Sequence, residues 1–134
     1  MLAVAGVCAA IEVIDSRYEK FKFTLNDVVA DNASSTAFVI GSSVVARADI
    51  DISNLGMVME IDGETVAVGS SAVIYEHPAR SLAELANLLA DRGEQLKAGM
   101  IVLAGGATAA KHVDAGQRVR LRCDGLSTVD LSLR

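Results

Sequence analysis

Ala10 to Ser35 reads AIEVIDSRYEKFKFTLNDVVADNASS, and the rest of the chain is organised around it. It opens as a short apolar strand, Ala10 to Ile14, with one carboxylate, Glu12, set inside it. It then runs through charged and aromatic residues and closes in Asp31-Asn32-Ala33-Ser34-Ser35, a cluster of small polar groups without periodicity. A carboxylate in an apolar strand needs a partner, because an unpaired buried charge costs several kcal/mol or is neutralised by a pKa shift. A hard cation such as Mg2+, which takes oxygen ligands, is one candidate partner. A salt bridge is another, and a place on the strand's wet face removes the need altogether.

At 134 residues the chain, residues 1–134, is one domain's worth of polypeptide. It is 51% hydrophobic but only 4% aromatic and has no Trp, so its core is built from Ala, Val, Leu and Ile. A formal net charge of −5, with the basic residues scattered, excludes a nucleic-acid groove. Cys8 and Cys123 have no CxxC spacing and read as free thiols of a reducing cytosol. His77 and His112 lack metal-ligand spacing. The apolar start MLAVAGVCAA has no positive n-region, so it is not read as a signal peptide, and no run is long enough to span a bilayer. A soluble, cytoplasmic protein with no membrane partner is expected.

Periodicity and turn chemistry then place the elements. Leu2 to Ala9 suits a short helix of small residues, Ile11 to Ile14 a strand, and Phe21 and Phe23 a period-2 pattern with Lys20 and Lys22. Thr36 to Gly41 reads as a buried strand. Leu55 to Ile61 and Glu64 to Gly69 flank Asp62-Gly63, which predicts a type I′ hairpin in which Gly supplies the positive φ. A helix is predicted from Leu82 to Arg92, with Ser81 and Glu84 as a capping box and Gly93 as a left-handed closure. Leu82, Leu85, Ala86 and Leu89 share one face of it. Met100 to Leu103 reads as a buried strand ending in the small-residue loop AGGAT, and Arg118 to Cys123 and Leu126 to Leu133 as a second hairpin about Asp124-Gly125. The sum is an α+β fold: a β-rich mixed sheet or partly open barrel with one main helix.

Four places could hold chemistry: Glu12, the DNASS cluster, the Gly105-Gly106-Ala107-Thr108 loop and His77. The DNASS amide and hydroxyls could bind a small polar ligand, or bond their own backbone as a turn. Bare N–H groups in the glycine loop could receive a carboxylate, although Gly pairs are also ordinary turn residues. His77, beside Pro78, is a general base or a surface or capping residue.

IEVIDSRYEKFKF…VVADNASST resembles the fumarylacetoacetate hydrolase superfamily, in its branch of 2-keto-4-pentenoate hydratases and 4-oxalocrotonate decarboxylases. The resemblance continues through GMVMEIDGETVAVGSSAV, HPARSLAELANLLADRGEQLKAG and GGATAA to the terminal strands. RYEKFKF, LANLLADRGE and GGATAA are closer to the decarboxylases. The resemblance implies the family's C-terminal fold and a lyase that holds Mg2+ or Mn2+ with three carboxylates. One is the Glu of EVIDSR, here Glu12; the other two form a Glu-x-Glu pair on an earlier strand. The metal would chelate a small 2-oxo acid and stabilise the enolate left by loss of CO2, or formed before water addition. Ser34 matches a catalytic hydroxyl lining the substrate pocket, and Gly106 and Thr108 match the loop that closes over the substrate. Asp15 and Arg17 match a structural pair at the strand end, with Asn32 structural beside the site.

The departures set the remaining expectations. Members of the family are about twice as long, and only their C-terminal half is matched. No Glu-x-Glu precedes Glu12, and Glu60, Asp62 and Glu64 flank a hairpin turn at a non-ligand position. Ala104 replaces a frequent Thr or Ser, and Glu76 a frequent Gly before His-Pro. The expected protein is the C-terminal half of a 4-oxalocrotonate decarboxylase-like lyase of aromatic meta-cleavage catabolism, with an incomplete metal site. It would need a homo-oligomer, a complementing N-terminal half or a hydratase partner. A hydratase and a non-catalytic complementing domain are the alternatives.

Overall fold

A computed structural model describes residues 3–134. Its strands form three antiparallel groups. β1 (Gly6–Val7) pairs with β4 (Val45–Ala46), and β2 (Ala10–Ile14) pairs with β3 (Ser35–Ile40). A four-stranded sheet has the order β6-β5-β7-β8, built from β5 (Gly56–Ile61), β6 (Glu64–Ser70), β7 (Arg118–Cys123) and β8 (Val129–Ser132). Two helices, α1 (Leu25–Ala30) and α2 (Pro78–Ala90), complete an α+β fold with open sheets and one main helix.

The core is the inner face of β7 and β8 against the β2–β3 ribbon. Val119, Leu121 and Cys123 alternate inward along β7 and meet Val129, Ala9 and Ile11. The other set of β7 side chains, at period two, carries Arg118, Arg120 and Arg122. Across the outer face Arg118 and Arg120 pair with Asp130, and Arg122 with Glu60 at 2.5 Å. Asp130 is held below the usual carboxylate range by the bond from Arg120 and then Arg118. Inside, burial pushes the Cys123 thiol up, helped by Asp124, and Cys8 and Cys123 are both free.

Hairpin β5–β6 turns on Asp62 at φ 51° and Gly63 at φ 88°, the two positive values a type I′ turn requires. Asp62 also accepts from the side chain of Gln117 and the N–H of Arg118, which joins the turn to β7. Gly69 in β6 lies under the glycine loop: a Cβ there would stand 2.5 Å from the Ala107 carbonyl oxygen.

Four expectations are corrected. The helix begins at Pro78 rather than Leu82 and ends at Ala90 rather than Arg92, because Pro is pre-organised for the first helical turn. His77, not Ser81, caps it: the His77 ring nitrogen Nδ1 accepts from the Ala79 N–H at 3.0 Å. Ser81 sits inside the helix and donates to the Ala104 carbonyl at 2.6 Å, anchoring the start of the glycine loop. The left-handed closure on Gly93 is present, at φ 72°.

Gly6–Val7 is strand where a helix was expected, paired with Val45 and Ala46; Leu2 lies outside the described residues. Met100 to Leu103 forms no strand, and Met100, Ile101 and Leu103 are exposed along an open trough. Phe21 and Phe23, which alternate with Lys20 and Lys22 in the sequence, lie about a turn with Lys20 and Phe21 at positive φ that leads into α1. α1 carries its own capping box, Thr24 with Asp27.

Candidate active site

β2 and β3 form the element that carries the candidate carboxylate. In their register Glu12 stands opposite Phe38, and Ala10 opposite Ile40, on one face of the ribbon. The other face sends Ile11 into the core. Glu12 is therefore exposed, on the wet face, and among the described residues it has neither an ion-pair nor a hydrogen-bond partner. Beside it the surface is apolar, with Phe38 and Ile40 exposed. The register shifts between Val13 and Ile14, a bulge one residue beyond Glu12 that bends the strand.

Glu12 lines a trough of about 1770 Å³ that runs beneath α2. Leu82 from α2, Met100 and Ile101 line its apolar walls. Asp15, Gly106 and Thr108 open onto the same space, so the fold brings the expected carboxylate and the expected loop together. The loop is held by Ser81 at Ala104 and by the close approach of Gly69. Among the described residues no internal hydrogen bond takes up the N–H groups of residues 105–108. Free amides beside a cavity can receive an anionic group such as a carboxylate.

The DNASS cluster does different work. Ser34 is 2% exposed, does not line the trough, and donates its hydroxyl to Asp31 Oδ2 at 2.8 Å. Asn32, Ala33 and Ser34 hold φ of 53°, 54° and 58° in succession. Left-handed backbone costs non-glycine residues about 1 kcal/mol each, so their surroundings must over-determine this turn. Asn32 is exposed, with its side-chain amide 3.5 Å from the Ser35 carbonyl oxygen.

Arg17 does not pair with Asp15. Its guanidinium donates to Asp31, to Oδ1 at 2.6 Å and to the backbone carbonyl at 3.0 Å. Asp31 is the buried carboxylate that the sequence did not single out. The Arg17 bond, with smaller help from Ser34 and the Arg17 N–H, holds its carboxyl below the usual carboxylate range against the opposing effect of desolvation. No local spacing marks it, because Arg17 lies fourteen residues before it. His112 is exposed at the trough's edge, where its ring meets Asp114 at 3.1 Å.

A protein-family model described as "Fumarylacetoacetate (FAA) hydrolase C-terminal" matches residues 1–133. The chain belongs to the fumarylacetoacetate hydrolase family. Within the family it is 52% identical over 129 residues to a 4-oxalocrotonate decarboxylase of Pseudomonas sp. (strain CF600), covering 96% of this chain and 49% of that protein. A 2-keto-4-pentenoate hydratase of Burkholderia vietnamiensis is 39% identical, with 95% and 48% covered. The solved 4-oxalocrotonate decarboxylase from Pseudomonas putida G7, complexed with magnesium and adipate, superposes with a TM-score of 0.90 at 46% identity. That match covers 95% of this chain and 48% of the other. The chain spans about half the length of the curated relatives it matches.

A divalent cation does not fit the residues of this chain alone. Among the described residues no three His, Cys, Asp or Glu side chains converge, and Glu12 stands by itself on its ribbon face. Mg2+ is bound through one or two carboxylates completed by substrate and waters in near-octahedral geometry, and a single exposed carboxylate is a weak start.

Proposed function

We propose that this chain is the C-terminal, trough-forming half of a 4-oxalocrotonate decarboxylase-like lyase acting on a small 2-oxo-dienoate. The observation that carries the reading is the convergence of Glu12, Gly106 and Thr108, far apart in sequence, on one trough. Extended similarity to 4-oxalocrotonate decarboxylases along nearly the whole chain supports it. In this reading Glu12 contributes one carboxylate to a divalent cation whose other ligands lie outside the chain. The N–H groups of residues 105–108 and the Thr108 hydroxyl receive an oxygen-bearing end of the substrate, and Leu82 and Met100 flank its carbon skeleton. The absence of further converging carboxylates among the described residues and the exposed face around Phe38 support completion of the site by an N-terminal half supplied by another polypeptide or segment. We place the reaction in the cytoplasm, in aromatic ring-cleavage catabolism.

Mixing the chain with the unmatched half of the Pseudomonas sp. (strain CF600) decarboxylase, Mg2+ and 4-oxalocrotonate tests this. CO2 release is expected, and Glu12→Gln lowers it by at least about 100-fold. Release that Glu12→Gln leaves untouched, or none from any such mixture, contradicts the reading. Hydration of a 2-hydroxydienoate without CO2 release moves the chain to the hydratases.

A further inference from the structure

We infer that Asp31 is the positioning residue of the Glu12 strand: its buried carboxylate locks the segment after β2 onto the turn before β3 and so sets how Glu12 faces the trough. The inference rests on the role proposed for Glu12.

The geometry is a clamp. One oxygen of Asp31 accepts from the Ser34 hydroxyl at 2.8 Å, the Arg17 N–H at 3.2 Å and the Ser16 hydroxyl at 3.4 Å. The other accepts from the Arg17 guanidinium at 2.6 Å. The side chain is 1% exposed, whereas that of Arg17 is 66% exposed. A buried carboxylate held by four donors is committed to the ribbon, and Asp31 does not line the trough. Its partners lie on both sides of the ribbon's open end. Ser16 and Arg17 follow β2, Ser34 precedes β3, and the Asp15 N–H donates to the Ser34 carbonyl at 2.8 Å.

Asp31 also accounts for the left-handed run Asn32-Ala33-Ser34, which places the Ser34 hydroxyl on it. That run is unfavourable by itself and persists because the clamp holds it. The bulge between Val13 and Ile14 lies between the clamp and Glu12. A bulge sets local twist, and fixing the strand end just beyond it constrains the twist of the strand at Glu12, one residue before it. Ser34 acts here through Asp31, as a positioning residue rather than a group that touches substrate.

Hydrogen exchange on the full chain reads the clamp without any activity. In Asp31→Asn, amides of Ala10–Ile14 and Ser35–Ile40 exchange at least about fivefold faster, while β5, β6, β7 and β8 keep their rates. Ser34→Ala, which removes one donor and leaves the charge paired, shows a smaller rise in the same two strands. Unchanged ribbon rates, or a uniform rise in every strand of both variants, overturns the inference.

A second readout separates positioning from mere stability. In the active mixture described above, Asp31→Asn raises the Mg2+ concentration for half-maximal rate by about tenfold, as loss of an outer-shell partner does, with the rate at saturating Mg2+ within about twofold. An unchanged Mg2+ requirement overturns the inference. If no mixture is active, the role proposed for Glu12 has failed, and ribbon exchange alone still decides whether Asp31 is a clamp.

Discussion

Asp31 and Glu12 show how differently one fold treats two carboxylates. Asp31 is withdrawn from water, surrounded by donors and held ionised by Arg17; Glu12, on the neighbouring strand, has no partner and faces an open trough. Asp31 therefore holds the ribbon together, and Glu12 is the carboxylate proposed for binding. Carboxyls whose folded pKa is lowered stabilise the fold fully above the unfolded value near 3.9, and that stabilisation is lost as pH falls through the folded value. Asp31, Asp27, Asp51 and Asp130 are all shifted in this direction. Urea midpoints are expected to stay level from neutral pH to about pH 5 and to fall below about pH 4, and Asp31→Asn is expected to start lower and fall less steeply. A midpoint that rises on acidification contradicts this assignment of charge. Glu12 was legible in the sequence because a single charge interrupts an apolar strand. Asp31 was not, because the turn that turns it inward is set by tertiary bonds to Ser16 and Arg17.

At the scale of elements, features whose cause is local were the readable ones. The β5–β6 hairpin follows from Asp62-Gly63 because those residues supply both positive φ values themselves. The start of α2 was misplaced for a reason equally physical. Ser81 and Glu84 have capping-box spacing, but the Ser81 hydroxyl is taken by the Ala104 carbonyl, and His77 with Pro78 starts the helix one turn earlier. α1 is only six residues long and was missed, although Thr24 and Asp27 carry the signal. The run from Met100 to Leu103 is apolar enough for a buried strand, yet it pairs with nothing among the described residues and lies along the trough. The glycine loop is positioned from outside by Ser81 and Gly69. In Gly69→Ala a new methyl meets the Ala107 carbonyl and the Thr108 side chain, so the substitution is expected to cost about 2 kcal/mol in urea unfolding and to displace the loop. Full stability in that variant would show that β6 and the loop do not press together.

For the whole molecule, the surface carries the argument. The chain exposes 9084 Å² at 14.0 kDa, whereas a compact monomer of that mass exposes about 6,700 Å². The excess is rich in apolar side chains: Phe38 and Ile40 beside Glu12, Met100 and Ile101 along the trough, and Leu25 and Val29 on α1. Large exposed apolar patches mark interaction surfaces. Together with the half-length match to its relatives, this area supports the proposed scaffold, in which one carboxylate and a substrate loop are presented for completion from elsewhere. The decisive experiment is titration of the chain with Mn2+, alone and mixed with the unmatched half of the Pseudomonas sp. (strain CF600) decarboxylase. No more than weak binding is expected of the chain alone, with at least about 100-fold tighter binding by the mixture and loss of that gain in Glu12→Gln. Equal affinity with and without the second half, or a gain that survives Glu12→Gln, would contradict the proposed scaffold.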